Sequence, residues 1–385
     1  LSVNILRIMF PYLALISLVA FAGGIQNSHD RFSIPAFTPV IFNVCLIFAA
    51  VIIAPNFEMP IYALAWGVLL AGFLQLLIQY FPLSTINMLP RPVLNFENKG
   101  LKKFLLLIMP AILAGGIIQI NILIDTIFAS LLETGSPTWL YVSDRLIQFP
   151  MGIFAIAIGT VLLPRLSKLD VGSQRQKFID TLANSQSLVI FIGIPSLIGL
   201  VFCSEDLIAA IFLRGEFQPI DVFRSSNSLI AFSFGLPFFM LMKVLTPAFF
   251  ARKDTKTPMY VAFLALLLNA ILNYVLAFVL NFGHVGLAIG SSIAAFVSVL
   301  ILEFILFKNG LVYLKNLNYR FFIAIILSST ALIIFLKFYT AFTDFMIMSQ
   351  AERFLYLGVE VIFSIIIYFS IARLILGTSF IKQFN

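Results

Sequence analysis

Long apolar stretches recur along the 385 residues, separated by short polar breaks. A helix that crosses a hydrocarbon core needs about 20 mostly apolar residues. Eleven stretches meet that need, near 5–25, 37–54, 61–81, 103–132, 138–163, 184–203, 224–250, 259–281, 285–306, 320–341 and 353–376. When successive connections are assigned to alternate sides, the basic residues sort with them. One side holds Arg31; Arg91, Lys99, Lys102 and Lys103; Arg165, Lys168, Arg175 and Lys177; Arg252, Lys253 and Lys256; Lys308, Lys315 and Arg320; and Arg373 and Lys382. The opposite connections near 55–60, 133–137 and 282–284 carry no Lys or Arg, and the longer 204–223 loop mixes Arg214 with Glu205, Asp206, Glu216 and Asp221. Short cytoplasmic loops concentrate Lys and Arg, so the basic side is read as cytoplasmic. Residue 1 then lies outside, and with no initiator Met and no signal peptide the sequence reads as truncated at its N-terminus.

A weak internal repeat fits that reading. The segment from Pro11 through "NSHDRFSIP" to Asn43 has a counterpart from Pro237 through "ARKDTKTP" to Asn269. Each has a span interrupted by proline, a short polar turn with Asp and a base, and a proline opening the next span. If spans one to three match spans seven to nine, three further spans are expected ahead of Leu1, giving six plus six and two appended. Repeats of this kind occur in transporters whose central site lies between two rocking bundles.

Composition excludes the soluble classes. Hydrophobic residues make up 61% of the chain and charged residues 11%, against about 25% charged in an average soluble domain. Mean hydropathy is +1.07. The excess of 24 Lys and Arg over 17 Asp and Glu follows membrane orientation here, so nucleic acid is not an expected partner. Cys45 and Cys203 lie in or beside apolar runs without CxxC spacing, which leaves no disulfide framework or zinc site. There is no P-loop, HExxH, GxSxG or dinucleotide fingerprint. His29 and His284 fall in predicted loops and no DxxxD pair faces the cytoplasm, so chemistry on a substrate is disfavoured. The fold class expected is an all-α polytopic membrane protein of about eleven transmembrane helices: an incomplete first lobe over 1–102, a six-helix second lobe over 103–307, and two C-terminal helices over 308–385.

Polar residues inside the spans supply the candidate chemistry. Asp125 sits in the apolar fourth span, where a central Asp costs about 2.5–3.5 kcal/mol. It therefore faces a cavity, binds a cation, is protonated, or is a solvated group with no role. Asn269 and Asn273 share a helix face at i, i+4, and Ser291 or Ser292 enters at a comparable depth. This oxygen-rich set suits a hard monovalent cation or a proton relay, although paired Asn residues also simply join helices. Asp144 and Arg145 lie about two turns below the outer surface of span five. An inward-facing Arg145 suits a diphosphate; the competing reading is an interhelical ion pair or snorkelling to the interface. Lys243 faces the cavity or snorkels, and Lys337, Glu303 and Glu360 are placed to snorkel. Pro110 with Gly115 and Gly116, then Pro150, Pro195 and Pro237, permit kinks in spans four to seven.

The stretch "YVSDRLIQFPMGIFAIAIGTVLLPRLSK", with "DRFSIPAFTPVIFN" and "ARKDTKTP", resembles the MurJ/MviN family of lipid II flippases, and the resemblance runs from the first span to the last. It implies a fold of fourteen spans in two six-helix lobes plus two C-terminal helices, within the multidrug/oligosaccharidyl-lipid/polysaccharide exporter superfamily, with the eleven spans here as the fourth to fourteenth. It further implies a multi-pass protein of the bacterial cytoplasmic (inner) membrane that is a transporter, not an enzyme. Its partners would be lipid II, the undecaprenyl-diphosphate-linked disaccharide-peptide, and membrane lipids; the oligomeric state is left open. On this resemblance Arg145, in "DRL", matches the second-lobe arginine. Asp125, Asn269 and Asn273 match a cation site of some members, with Na+ or H+ as coupling ion and no other cofactor, and the last two spans form a groove for the lipid tail. The rival readings are a drug or polysaccharide exporter of the same superfamily, a membrane scaffold, and a membrane-embedded glycolipid enzyme.

Overall fold

The computed structural model describes residues 1–29, 31, 33–89, 116–117, 119–169, 174–311 and 319–377. Every regular element among them is helical, and ten helices are long and apolar enough to cross a membrane. The chain is an all-α, multi-pass membrane protein. It divides into two compact units, Leu1–Lys102 and Lys103–Asn385.

In the first unit, α1 (Ser2–Met9) and α2 (Tyr12–Ser28) make one span, interrupted at Phe10 and Pro11. Proline has no N–H to continue the ladder, and its ring crowds the preceding turn. Helix α3 (Ser33–Phe48) runs on through a π-helical turn at Ala49–Ile53. Helix α4 (Pro60–Thr85) opens with proline in its first turn, where the missing donor has no partner to lose. Two glycines let α4 approach its neighbours: a Cβ on Gly67 would lie 2.6 Å from the Ala49 Cβ, and one on Gly72 would lie 2.8 Å from the Tyr12 ring. Small residues promote association in lipid because van der Waals packing, not water exclusion, drives it there.

The second unit begins, among the described residues, with α5 (Gln119–Ser130). Then follow α6 (Ser136–Pro150), a π turn at Met151–Ile156, α7 (Ala157–Ser167), α8 (Arg175–Phe202), α9 (Ser204–Phe212) and α10 (Pro219–Ala251). Helix α11 (Lys256–Tyr274) continues into a π turn at Val275–Val279, and α12 (Gly283–Lys308), α13 (Tyr319–Phe342) and α14 (Gln350–Leu376) complete it. Pro150 stands immediately before the π turn that joins α6 to α7, where its lost hydrogen bond loosens the ladder. Helix α10 is the axis of this unit. Its N-terminus carries a reciprocal cap between Gln218 and Asp221, and Leu229, Leu236, Met240, Leu245 and Phe249 are buried against Leu166, Phe178 and Leu302. The α13–α14 hairpin packs on α8 through Phe191, Leu332 and Tyr368, and the Tyr368 hydroxyl donates to the Phe191 carbonyl at 2.9 Å.

Several sequence expectations need correction. The described part of the fourth span is Gln119–Ser130, and the rest of 103–132, with Pro110 and Gly115, lies outside the described residues. Helix α8 starts at Arg175 rather than near 184, because Phe178, Ile179 and Leu182 bury one face of an otherwise polar turn. The 204–223 loop contains α9 and the start of α10. His284 belongs to the first turn of α12, is buried, and pairs its Nδ1 with Ser228 Oγ at 2.6 Å. Glu360 does not snorkel: it has no exposed surface.

Candidate functional site

The polar group around Asp125 is assembled by α5, α11 and α12, all within the second unit. Asn121 and Asp125 stand one turn apart on α5, and Asn121 Nδ2 donates to Asp125 Oδ2 at 3.3 Å. The other carboxylate oxygen, Oδ1, accepts from Asn273 Nδ2 at 2.6 Å. Asn273 lies one turn from Asn269 on α11, just ahead of the π turn at Val275–Val279. Ser291 on α12 completes the group, 3.0 Å from the Asn269 amide. Asn269 and Asn273 are buried, while Asp125 and Ser291 are half-buried.

The Asn269 amide has two arrangements. In one, its oxygen accepts from Asn273 Nδ2 at 2.7 Å and its nitrogen donates to Ser291 Oγ at 3.0 Å. In the other, its nitrogen donates to Asp125 Oδ1 at 3.0 Å and its oxygen accepts from Ser291 Oγ at 3.0 Å and from the Ser291 backbone N–H at 3.3 Å. The first sets the Asn269 oxygen 3.0 Å from Asp125 Oδ1, and the second sets two amide nitrogens 2.7 Å apart. Asn273 Oδ1 is a buried acceptor without a donor. It occupies the space that a Cβ on Gly290 would take, so glycine is required there for the amide to fit. The cluster thus gathers carboxylate, carboxamide and hydroxyl oxygens with one buried acceptor left without a donor, and oxygens of this kind can hold a hard cation. Asn121 and Gly290 escaped the sequence reading. Their signals were the i, i+4 spacings Asn121–Asp125 and Gly286–Gly290.

The predicted headgroup residues are placed differently. Arg145 is exposed on α6, with its guanidinium 4.7 Å from the Tyr141 ring centre and NH1 donating to Gln148 Oε1 at 3.4 Å. Gln148 Nε2 in turn donates to Asp144 Oδ2. Asp144 is half-buried. Lys243 is exposed on α10, where its backbone carbonyl stands 2.7 Å from the position of a Cβ on Gly159. No salt bridge engages Arg145 or Lys243 among the described residues. A separate groove of about 670 Å³ between α10 and α12 is lined by Phe234, Phe238, Ile293 and Phe296, with Asn227 and Ser292 as its polar members. Of the predicted site residues, only Ser292, the alternative to Ser291, lines it.

Comparison with known proteins places this arrangement in context. The family model described as "Lipid II flippase MurJ" matches residues 1–355. A probable lipid II flippase MurJ from Vibrio cholerae is 41% identical over 81% of this chain and 59% of its own length. A lipid II flippase MurJ from Burkholderia cenocepacia is 36% identical over 85% of this chain and 64% of its own length. The chain therefore spans about three-fifths of the curated relatives it matches. A solved structure described as "Lipid II flippase MurJ, inward closed conformation" aligns with a TM-score of 0.78 at 28% identity, covering 97% of this chain and 74% of that one. With a family match over nearly the whole sequence and a shared fold over almost every residue, the chain belongs to the lipid II flippase MurJ family.

Proposed function

We propose that this protein moves lipid II from the cytoplasmic to the periplasmic leaflet of the bacterial inner membrane by alternating access, and that it is a transporter rather than an enzyme. The observation that carries this reading is the family match over residues 1–355. In this reading the exposed Arg145 guanidinium receives the diphosphate through its planar fork of donors. Lys243 adds positive charge, and Asp144 orients the neighbourhood through Gln148. The undecaprenyl tail stays in lipid along the α13–α14 hairpin. Asp125, Asn269, Asn273 and Ser291 hold a monovalent cation, Na+, or take a proton in its place. Binding there shifts the balance between the inward and outward states, and cargo and cation bias each other reciprocally.

The test is leaflet accessibility. Expressed from its own gene in cells depleted of their lipid II flippase, the protein is expected to restore lipid II exposure on the periplasmic face, and Arg145→Ala to abolish it with the protein still in the membrane. Unchanged exposure in the variant would remove Arg145 from the mechanism. Restored drug efflux or surface glycan without lipid II exposure would favour an exporter of another cargo.

A further inference from the structure

Glu360 lies midway along α14, inside the candidate span Gln350–Leu376, with no exposed surface. Neither carboxylate oxygen has a hydrogen-bonding partner of ordinary geometry. Among the described residues no salt bridge engages Glu360. Arg353, two turns earlier on α14, spends its donors on the carbonyls of Phe345 at 2.7 Å, Leu213 at 3.0 Å and Met346 at 3.2 Å. Lys337 of α13 is exposed and sits 5.9 Å from the Phe202 ring centre. The groups that do face Glu360 are acids or weak donors. The Cys203 thiol at the end of α8 packs against it, and Asp206 of α9 is close enough for the two charges to repel. The hydroxyl of Tyr339 is committed to the Tyr356 carbonyl at 2.9 Å. Asp344 accepts from the Met346 N–H at 2.9 Å, and Glu205 adds a further negative charge beside Asp206.

An ionised carboxylate sealed in this way, with like charges nearby and only the Cys203 thiol as a weak donor, is heavily penalised. Asp206 repeats the pattern, since its Oδ2 is also buried without a partner. Two buried acids facing each other relieve the penalty by keeping a proton. Among the described residues no set of three His, Cys, Asp or Glu side chains converges as metal ligands.

We infer that Glu360 is a proton-binding site, its proton held with Asp206 and Cys203 at the seam where the α13–α14 hairpin docks on α8 and α9, and that losing this proton loosens the dock. The other ties across the seam are Tyr368 to the Phe191 carbonyl, Gln350 Nε2 to the Ala210 carbonyl at 2.7 Å, and the Arg353 bonds to the chain ahead of it. The groups outside the spans behave consistently. Burial first, and then the charge of Glu360, push Asp206 up from 3.8 to about 7. Burial and Glu360 hold the Cys203 thiol well above its ordinary value, so it stays neutral. A carboxyl raised on folding stabilises the folded state at low pH, and that contribution is lost as pH rises through the folded value. The dock should therefore weaken from about 3.8 upward and be weakest above about 7.

The test uses the protein in lipid nanodiscs. Infrared spectroscopy at neutral pH is expected to show the carbonyl stretch of a protonated carboxyl that disappears in Glu360→Gln. The melting temperature of the unaltered protein should fall by several degrees as pH rises from about 3.8 to about 7, and the fall should flatten in the variant. If Glu360→Gln does not fold, Asp206→Asn serves instead: removing the neighbouring charge should move the loss of the band to lower pH. No protonated band, a band that survives Glu360→Gln, or a titration indifferent to Asp206→Asn would each overturn the inference.

Discussion

Two buried polar seams, one in each unit, are made of nearly the same materials and differ by one charge. In the first unit Gln26 Nε2 donates to Gln79 Oε1 at 3.0 Å, Gln79 Nε2 to Thr38 Oγ1 at 3.3 Å and Gln75 Nε2 to the Thr38 carbonyl at 3.0 Å, joining α2, α3 and α4. In the second unit Asn121, Asn269, Asn273 and Ser291 join α5, α11 and α12 in the same manner, but around the carboxylate of Asp125. Interhelical carboxamides are worth only about 0.6 kcal/mol each on average in a membrane protein. They act as joints, and each seam leaves one buried amide oxygen without a donor, Gln26 Oε1 in the first and Asn273 Oδ1 in the second. A carboxylate at that depth costs about 2.5–3.5 kcal/mol, more than the joints around it return, so the charged seam calls for a proton or a cation where the neutral one does not.

Moving the charge should produce the largest effect. Gln75 is buried in mid-α4, so Gln75→Glu places a carboxylate in the first seam, with the Tyr12 hydroxyl as its available donor. The expected loss is about 2.5–3.5 kcal/mol in reversible unfolding from mixed micelles, and sodium should not recover it. If the variant is as stable as the parent, or if sodium rescues it, depth and charge alone do not distinguish the two seams.

The reciprocal substitution is expected to be gentler in stability and decisive in ligand response. Asp125→Asn turns the second seam into a neutral one of the same kind as the first. A bound ion stabilises the folded state by about 2.7 kcal/mol at a concentration one hundred times its Kd, so the parent should melt higher as sodium replaces a bulky organic cation, and the variant should not. Without sodium the variant should match or exceed the parent, because a buried charge has been removed. A sodium response that survives in the variant would detach the cation from Asp125.

The difference in charge also explains what could be read from the sequence. Spans are legible because lipid imposes a requirement on every residue of a segment, and ten of the helices follow it. Asp125 is legible because a carboxylate interrupts an apolar run, and Asn269, Asn273 and Ser291 because they enter at a similar depth; the structure brings the four together. Gln26, Gln75 and Gln79 interrupt their runs just as plainly but carry no charge, and so drew no attention. Gly290 could not be recognised as the space for an amide without its neighbour across the helix pair. The burial of Glu360 is hidden from the sequence for a related reason. Position along a span gives depth, but which neighbours close over a side chain depends on how the α13–α14 hairpin lies on α8 and α9, and no local pattern encodes that.

The smallest effect tests whether the first seam is a set of joints at all. The Tyr12 hydroxyl reaches Gln75 Oε1 at 3.5 Å, the long limit for such a bond, while its ring fills the space left by Gly72 and lies 5.7 Å from the Phe42 ring centre. Tyr12→Phe keeps the ring and removes only the long bond, so the expected change is about 0.5 kcal/mol or less in the same unfolding experiment. Should the loss exceed about 1.5 kcal/mol, the upper end for a neutral hydrogen bond, the hydroxyl would be holding the Gln75 amide in register for the bond to Thr38. The seam would then be one cooperative network rather than separable joints. Asp125 would no longer be the single feature that sets the two regions apart.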